Sequence, residues 1–210
     1  RLILELRKTI SRDDCTCLQG LCLHYGRSMP YLPILDILKS YFQIQEEDRD
    51  FMVKRKAREG LIRLDNQLLD SLASFHELLS VELEDERYMM LDPQQRRQRT
   101  FEAIRDLLIR LSQERPLLLA VEDLHWIDRT SQEFLDYLIG RLANACILLV
   151  LLYRPEYTHT WGSKSYYTQI SLDQLSARNS ADLVQAILEE GEVVPELRDN
   201  LTATVPLLAF

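Results

Sequence analysis

Two continuous apolar runs dominate the hydrophobic pattern of this chain: Leu117 to Val121, leading into Glu122, and residues 145–153, ACILLVLLY. Each is short and lacks a helical period. Such runs predict strands buried on both faces, as in a parallel sheet. A third strand is expected over residues 16–24, TCLQGLCLH, followed by a turn at Tyr25 to Pro30, and the alternation over Tyr166 to Leu172 predicts a shorter fourth. Between them the spacing is helical. Residues 1–11 fit a helix already under way at residue 1, and Leu32 to Phe42 fits one with Pro33 in its first turn. Glu46 to Leu64 and Asn66 to Leu79 carry helical spacing with mixed charges, whereas Val81 to Asp92 is acidic and expected as a loop. Pro93 to Gln113 predicts an amphipathic helix with Phe101, Ile104, Leu107, Leu108 and Leu111 on one side. Thr130 and Glu133 have the spacing of a capping box and predict a helix to about Ala143. Two more helices are expected at Ser176 to Glu190, ended by Gly191, and at Pro195 to about Thr204.

Strands alternating with helices imply a parallel sheet with right-handed crossovers. The stretch from about 28 to 92 is too long for a plain crossover and reads as helical decoration on one edge. No internal repeat or low-complexity tract is present.

The bulk properties narrow the function without choosing it. The 210 residues suffice for one good core, or one core and a small appendage, and 46% hydrophobic with 28% charged residues is ordinary for a globular chain. A net charge of −8 argues against a nucleic-acid surface. The nearest basic cluster, Arg96, Arg97 and Arg99, reads as the solvated face of the helix after Pro93. Nothing resembles a signal peptide, and the longest uncharged run, Leu142 to Tyr153, is too short to span a bilayer. Cys15, Cys17, Cys22 and Cys146 match no zinc spacing and read as buried thiols in a reducing cytosol, so a cytoplasmic location is expected.

The chemistry is stated by LLLAVEDLHWID, residues 117–128. Glu122 and Asp123 end a buried strand, where α/β sheets bind ligands. One acid there can hold Mg²⁺ on nucleotide phosphates while its neighbour orients or deprotonates a water. A buried strand that merely exits into a polar turn would look the same. Asp123, His125 and Asp128 make a poor metal triad, since their spacing straddles a strand end and a turn. Trp126 reads as packing.

EDLHWID followed by a helix, then ILLVLLYRPEY and ISLDQLSARNSADLV, resembles the AAA-like P-loop ATPase module of STAND signalling proteins. The likeness is greatest to modules following class III adenylate/guanylate cyclase or protein kinase domains in large bacterial proteins. The module of LuxR-type regulators is also similar. CLHYGRSMPYLPILDILKSYF fits the same pattern, and the resemblance covers roughly residues 1 to 190. It implies a three-layer α/β/α fold with a parallel sheet in the order 5-1-4-3-2, here with strand 1 missing. Residues 1–175 would be a partial core with an insert at about 28–92, and 176–210 the start of a helical lid. It assigns Glu122 to the Mg²⁺-binding acid and Asp123 to the water-activating acid, although the family more often has Asp at the first position. His125 and Trp126 match the family's HW, Asp128 its following acid, which caps the next helix, and Arg154 the position that senses the γ-phosphate.

No Gly-x-x-x-x-Gly-Lys-[Ser/Thr] phosphate loop occurs in the sequence. In the family the chain after that loop reads roughly GKSRL, and residue 1 here begins RL. The expectation is therefore a segment that starts just after the loop and is not a competent ATPase by itself. In the intact protein the resemblance implies ATP binding and slow hydrolysis as a regulatory switch. A cyclase, kinase or DNA-binding output domain would lie in the same polypeptide, with a possible nucleotide-dependent oligomer. The alternative is a hydrolysis-dead, nucleotide-responsive scaffold that recruits partners through its helices.

Overall fold

The computed structural model describes residues 2–10 and 14–172. Three strands form its sheet: β1 (Thr16–Leu21), β2 (Leu117–Glu122) and β3 (Ile147–Leu151), all parallel, in the order β1-β2-β3. The run LLLAV therefore lies at the centre, and Leu117 to Val121 are all buried. Leu18 sits opposite Leu119, and Leu119 opposite Leu149, so matching apolar positions stack across the three strands. This is an α/β fold of the P-loop NTPase kind, with the middle strand flanked as the resemblance implied.

Seven α-helices accompany the sheet among the described residues: α1 (Leu2–Thr9), α2 (Leu32–Phe42), α3 (Asp50–Leu64), α4 (Leu72–Leu78), α5 (Glu86–Met89), α6 (Pro93–Glu114) and α7 (Arg129–Ile139). α2 lies directly against β1. A Cβ on Gly20 would come 2.8 Å from the Pro33 carbonyl carbon and closer still to its oxygen. Only glycine admits so close a backbone approach. Asp36, one helical turn on, accepts from the Leu21 backbone N–H at 3.2 Å and so occupies a donor on the outer edge of β1. α6 buries Phe101, Ile104, Leu107, Leu108 and Leu111, the face its periodicity predicts. Asp92 and Gln95 close a capping box at its start.

Several elements differ from expectation. Residues 66–79 begin as a 3-10 turn (Asn66–Ser71) before α4, and the acidic stretch 81–92 holds one short helix, α5, capped by Asp85. Asp128, not Thr130, caps α7: its side chain accepts from the Ser131 backbone N–H at 2.9 Å, which leaves Thr130 inside the first turn. α7 also stops at Ile139, before Ala143. Residues 166–172 form no strand. Their alternation supplies propensity, but a strand needs a neighbouring backbone to pair with, and none of the described residues does so. Cys22 alone of the four cysteines is buried; Cys146 is exposed, Cys15 and Cys17 are half-buried, and none is in a disulfide. The chain divides after Trp161, and residues from Gly162 on belong to a second compact unit. The helices expected at 176–190 and 195–204 lie outside the described residues.

Candidate active site

Parallel strands bring their C-terminal ends to one edge of the sheet. Leu21 pairs with Glu122 and Val121 with Leu151, so Cys22, Glu122, Asp123 and Arg154 all follow strand ends along this edge. Of the residues that sequence reasoning singled out, Glu122 ends β2 in register with Leu21, Asp123 follows it directly, and Arg154 comes three residues after β3.

The ladder shows how Asp123 is presented. Val121 accepts from the Leu152 N–H at 3.0 Å, as a regular parallel pair requires. Regular pairing would next have Asp123 donate to the Leu152 carbonyl, but Leu124 does so instead, at 2.9 Å. One extra residue is accommodated at Asp123, whose backbone is left-handed (φ 56°, ψ 42°). Asp is one of the few residues that tolerate this region, at a cost. The bulge turns the chain into a 3-10 turn (Leu124–Trp126) and leaves the Asp123 side chain exposed, with Leu124 buried behind it.

Glu122 is held differently. It is half-buried, and its Oε1 accepts from the Gln19 side-chain amide on the adjacent strand. Gln19 in turn accepts from the Arg7 guanidinium on α1 at 3.2 Å. Sequence reasoning missed this pair. The available signal was a glutamine in the middle of an otherwise apolar strand.

A buried acid, Asp128, follows the two acids in the chain. Asp128 is 5% exposed and Ser131 fully buried, and beyond the cap Asp128 Oδ2 has no hydrogen-bond partner. Burial, and then the charges of Asp128, Asp123 and Asp36, push the Cys22 thiol up to about 12. Cys22 therefore stays protonated and unreactive. Burial also pushes the Tyr31 phenol up to about 12, against the opposing pull of Arg97. Trp126 packs edge-on against His24, ring centres 4.3 Å apart, and tilted against His125 at 4.7 Å. That matches the expected packing role.

Arg154 is half-buried three residues beyond β3, and its carbonyl accepts from the Tyr157 N–H at 3.0 Å. Of the basic cluster, Arg96 bonds Glu77 at 3.1 Å and Arg97 pairs with Glu133 on α7. Both arginines are thus tied to the protein's own acids. Among the described residues no group of three or more His, Cys, Asp or Glu side chains could hold a metal ion, and no helix is long and apolar enough to cross a membrane.

A three-stranded parallel sheet flanked by helices is an α/β arrangement of the P-loop NTPase kind. The family model for the AAA ATPase domain matches residues 1–151, and the chain belongs to that family. An uncharacterized protein of Rhizobium meliloti (strain 1021) is 30% identical over 121 residues, a stretch covering 55% of this chain and 12% of that protein. The chain thus matches only a small part of its relative's length. No solved structure matches.

Proposed function

We propose that this module binds ATP with Mg²⁺ and acts, in the intact protein, as a regulatory switch driven by slow hydrolysis. One observation carries the reading: in an AAA ATPase domain, the central strand ends in two acids that the fold treats differently. Glu122 is restrained by a neutral hydrogen bond, and Asp123 is pushed outward on a left-handed bulge. Strained backbone of this kind concentrates at functional sites.

The donor set suits Mg²⁺, which prefers carboxylate, phosphate and water oxygens. Two acids supply only part of an octahedral shell, and phosphate and water oxygens would complete it. Glu122, with Asp123 beside it, would hold the ion, and Mg²⁺ when bound supplies neutralising charge to the phosphate oxygens. Asp123, exposed and extended from the edge, would orient and deprotonate the attacking water. Arg154 would sense the γ-phosphate from the end of β3. The output would come from a cyclase, kinase or DNA-binding domain in the same polypeptide, with nucleotide state read through oligomerisation; the AAA-like resemblance supports both.

The test uses the full-length protein. Asp123→Asn and Glu122→Gln are each expected to abolish turnover, with ATP binding largely retained in at least one of them. Parental hydrolysis rates in both variants would remove the assignment. ATP binding without any turnover in the parent would favour a nucleotide-responsive scaffold instead.

A further inference from the structure

Gln19 breaks the apolar pattern of its strand. It lies mid-strand, half-buried, opposite Ala120 and on the same side of the sheet as Glu122, two residues further along β2. A leucine or valine there would suit a half-buried strand better. The glutamine instead makes two directed contacts. Its Nε2 donates to Glu122 Oε1 and its Oε1 accepts from Arg7 Nη1 at 3.2 Å. The amide orientation is forced, because a guanidinium only donates and a carboxylate only accepts. Flipping the amide would set donor against donor and acceptor against acceptor.

We infer that Gln19, backed by Arg7, is a positioning residue that orients the Glu122 carboxylate toward a divalent cation. The inference rests on the reading of Glu122 as a metal-holding acid. A neutral amide fixes one carboxylate oxygen of Glu122 without cancelling its charge. A guanidinium placed directly on Glu122 would compete with the cation it is meant to hold. With the amide interposed, the arginine polarises the hydrogen bond from one side chain away and links α1 to the acid. Outer partners of this kind orient ligands for metals.

The experiment titrates Mn²⁺, read by paramagnetic resonance, into the full-length protein saturated with ATP. Gln19→Leu is expected to weaken Mn²⁺ binding about tenfold, with an unfolding midpoint unchanged or higher. Gln19→Met, of similar length and without a donor, gives the same comparison if Gln19→Leu does not fold. Arg7→Ala should weaken binding less than Gln19→Leu does, add nothing on top of it, and be rescued by Arg7→Lys. Parental Mn²⁺ affinity in the Gln19 variants, with Glu122→Gln weakened, overturns the inference and leaves the reading of Glu122 standing. Parental affinity in Glu122→Gln removes that reading, and the inference with it.

Discussion

Trp161 donates its indole N–H to the Asp136 carboxylate at 2.7 Å, fastening the end of the segment that follows β3 to the face of α7. The segment between is folded rather than loose. The Tyr153 hydroxyl bonds the His159 ring at 2.9 Å, His159 stacks on Trp161 with ring centres 4.8 Å apart, and the Tyr157 hydroxyl donates to Gln132 on α7. Arg154 lies inside this span, so its backbone is fixed from both ends: by β3 before it and by the aromatic group after it.

That arrangement makes Trp161 a stability residue. It is 3% exposed, so Trp161→Phe both leaves a void and removes the donor. The expected loss is about 1–3 kcal/mol. Asp136→Asn keeps an acceptor oxygen and should cost much less. Denaturant unfolding of both variants checks the ranking, and a larger loss for Asp136→Asn would contradict the role given to the indole.

A second prediction separates two candidate caps. Asp128 satisfies the Ser131 N–H at the start of α7, so Asp128→Ala should destabilise by about 1–2 kcal/mol. Thr130→Ala, within the first turn, should change stability little. Equal losses in the two variants would restore Thr130 as a cap.

Alkaline pH should weaken the fold. The Cys22 thiol and the Tyr31 hydroxyl are raised to about 12 from ordinary values of 9.0 and 10.0, chiefly by burial. Each binds its proton more tightly folded than unfolded, so its contribution is complete below pH 9 and is lost as pH climbs toward 12. Cys22→Ala removes one of the two groups. Its stability curve should fall less steeply than the parent's across that window. Parallel curves would mean that the thiol does not contribute.

What the sequence made legible was what burial writes into composition. The apolar runs of β2 and β3, the stripe on α6 and the acids at the end of β2 follow from side-chain character alone. Strand register does not, and without it nothing shows that Gln19 shares a face with Glu122 across a hundred intervening residues. The cap was ambiguous because Asp128 and Thr130 are both good N-cap residues two positions apart, and a cap is decided by backbone geometry. The alternation at 166–172 failed for the opposite reason: local propensity was present but the pairing partner was not. The bulge at Asp123 had no sequence signal, since no glycine marks it.

That bulge allows the chemistry of Asp123 to be separated from its conformation. A left-handed backbone costs a non-glycine residue roughly 1–2 kcal/mol, and Asp reduces the penalty through local hydrogen bonding. Asp123→Gly removes the carboxylate while relieving the backbone, so the protein should be as stable as the parent or more so. Asp123→Ala removes the same carboxylate and keeps the strain, and should be less stable than the glycine variant by about 1 kcal/mol. If Asp123 positions the attacking water, the two variants are equally deficient in ATP turnover despite their different stabilities. Thermal unfolding and single-turnover hydrolysis on the full-length protein supply both measurements. Turnover that follows stability, high in Asp123→Gly and low in Asp123→Ala, would show that the site needs the bulge and not the acid.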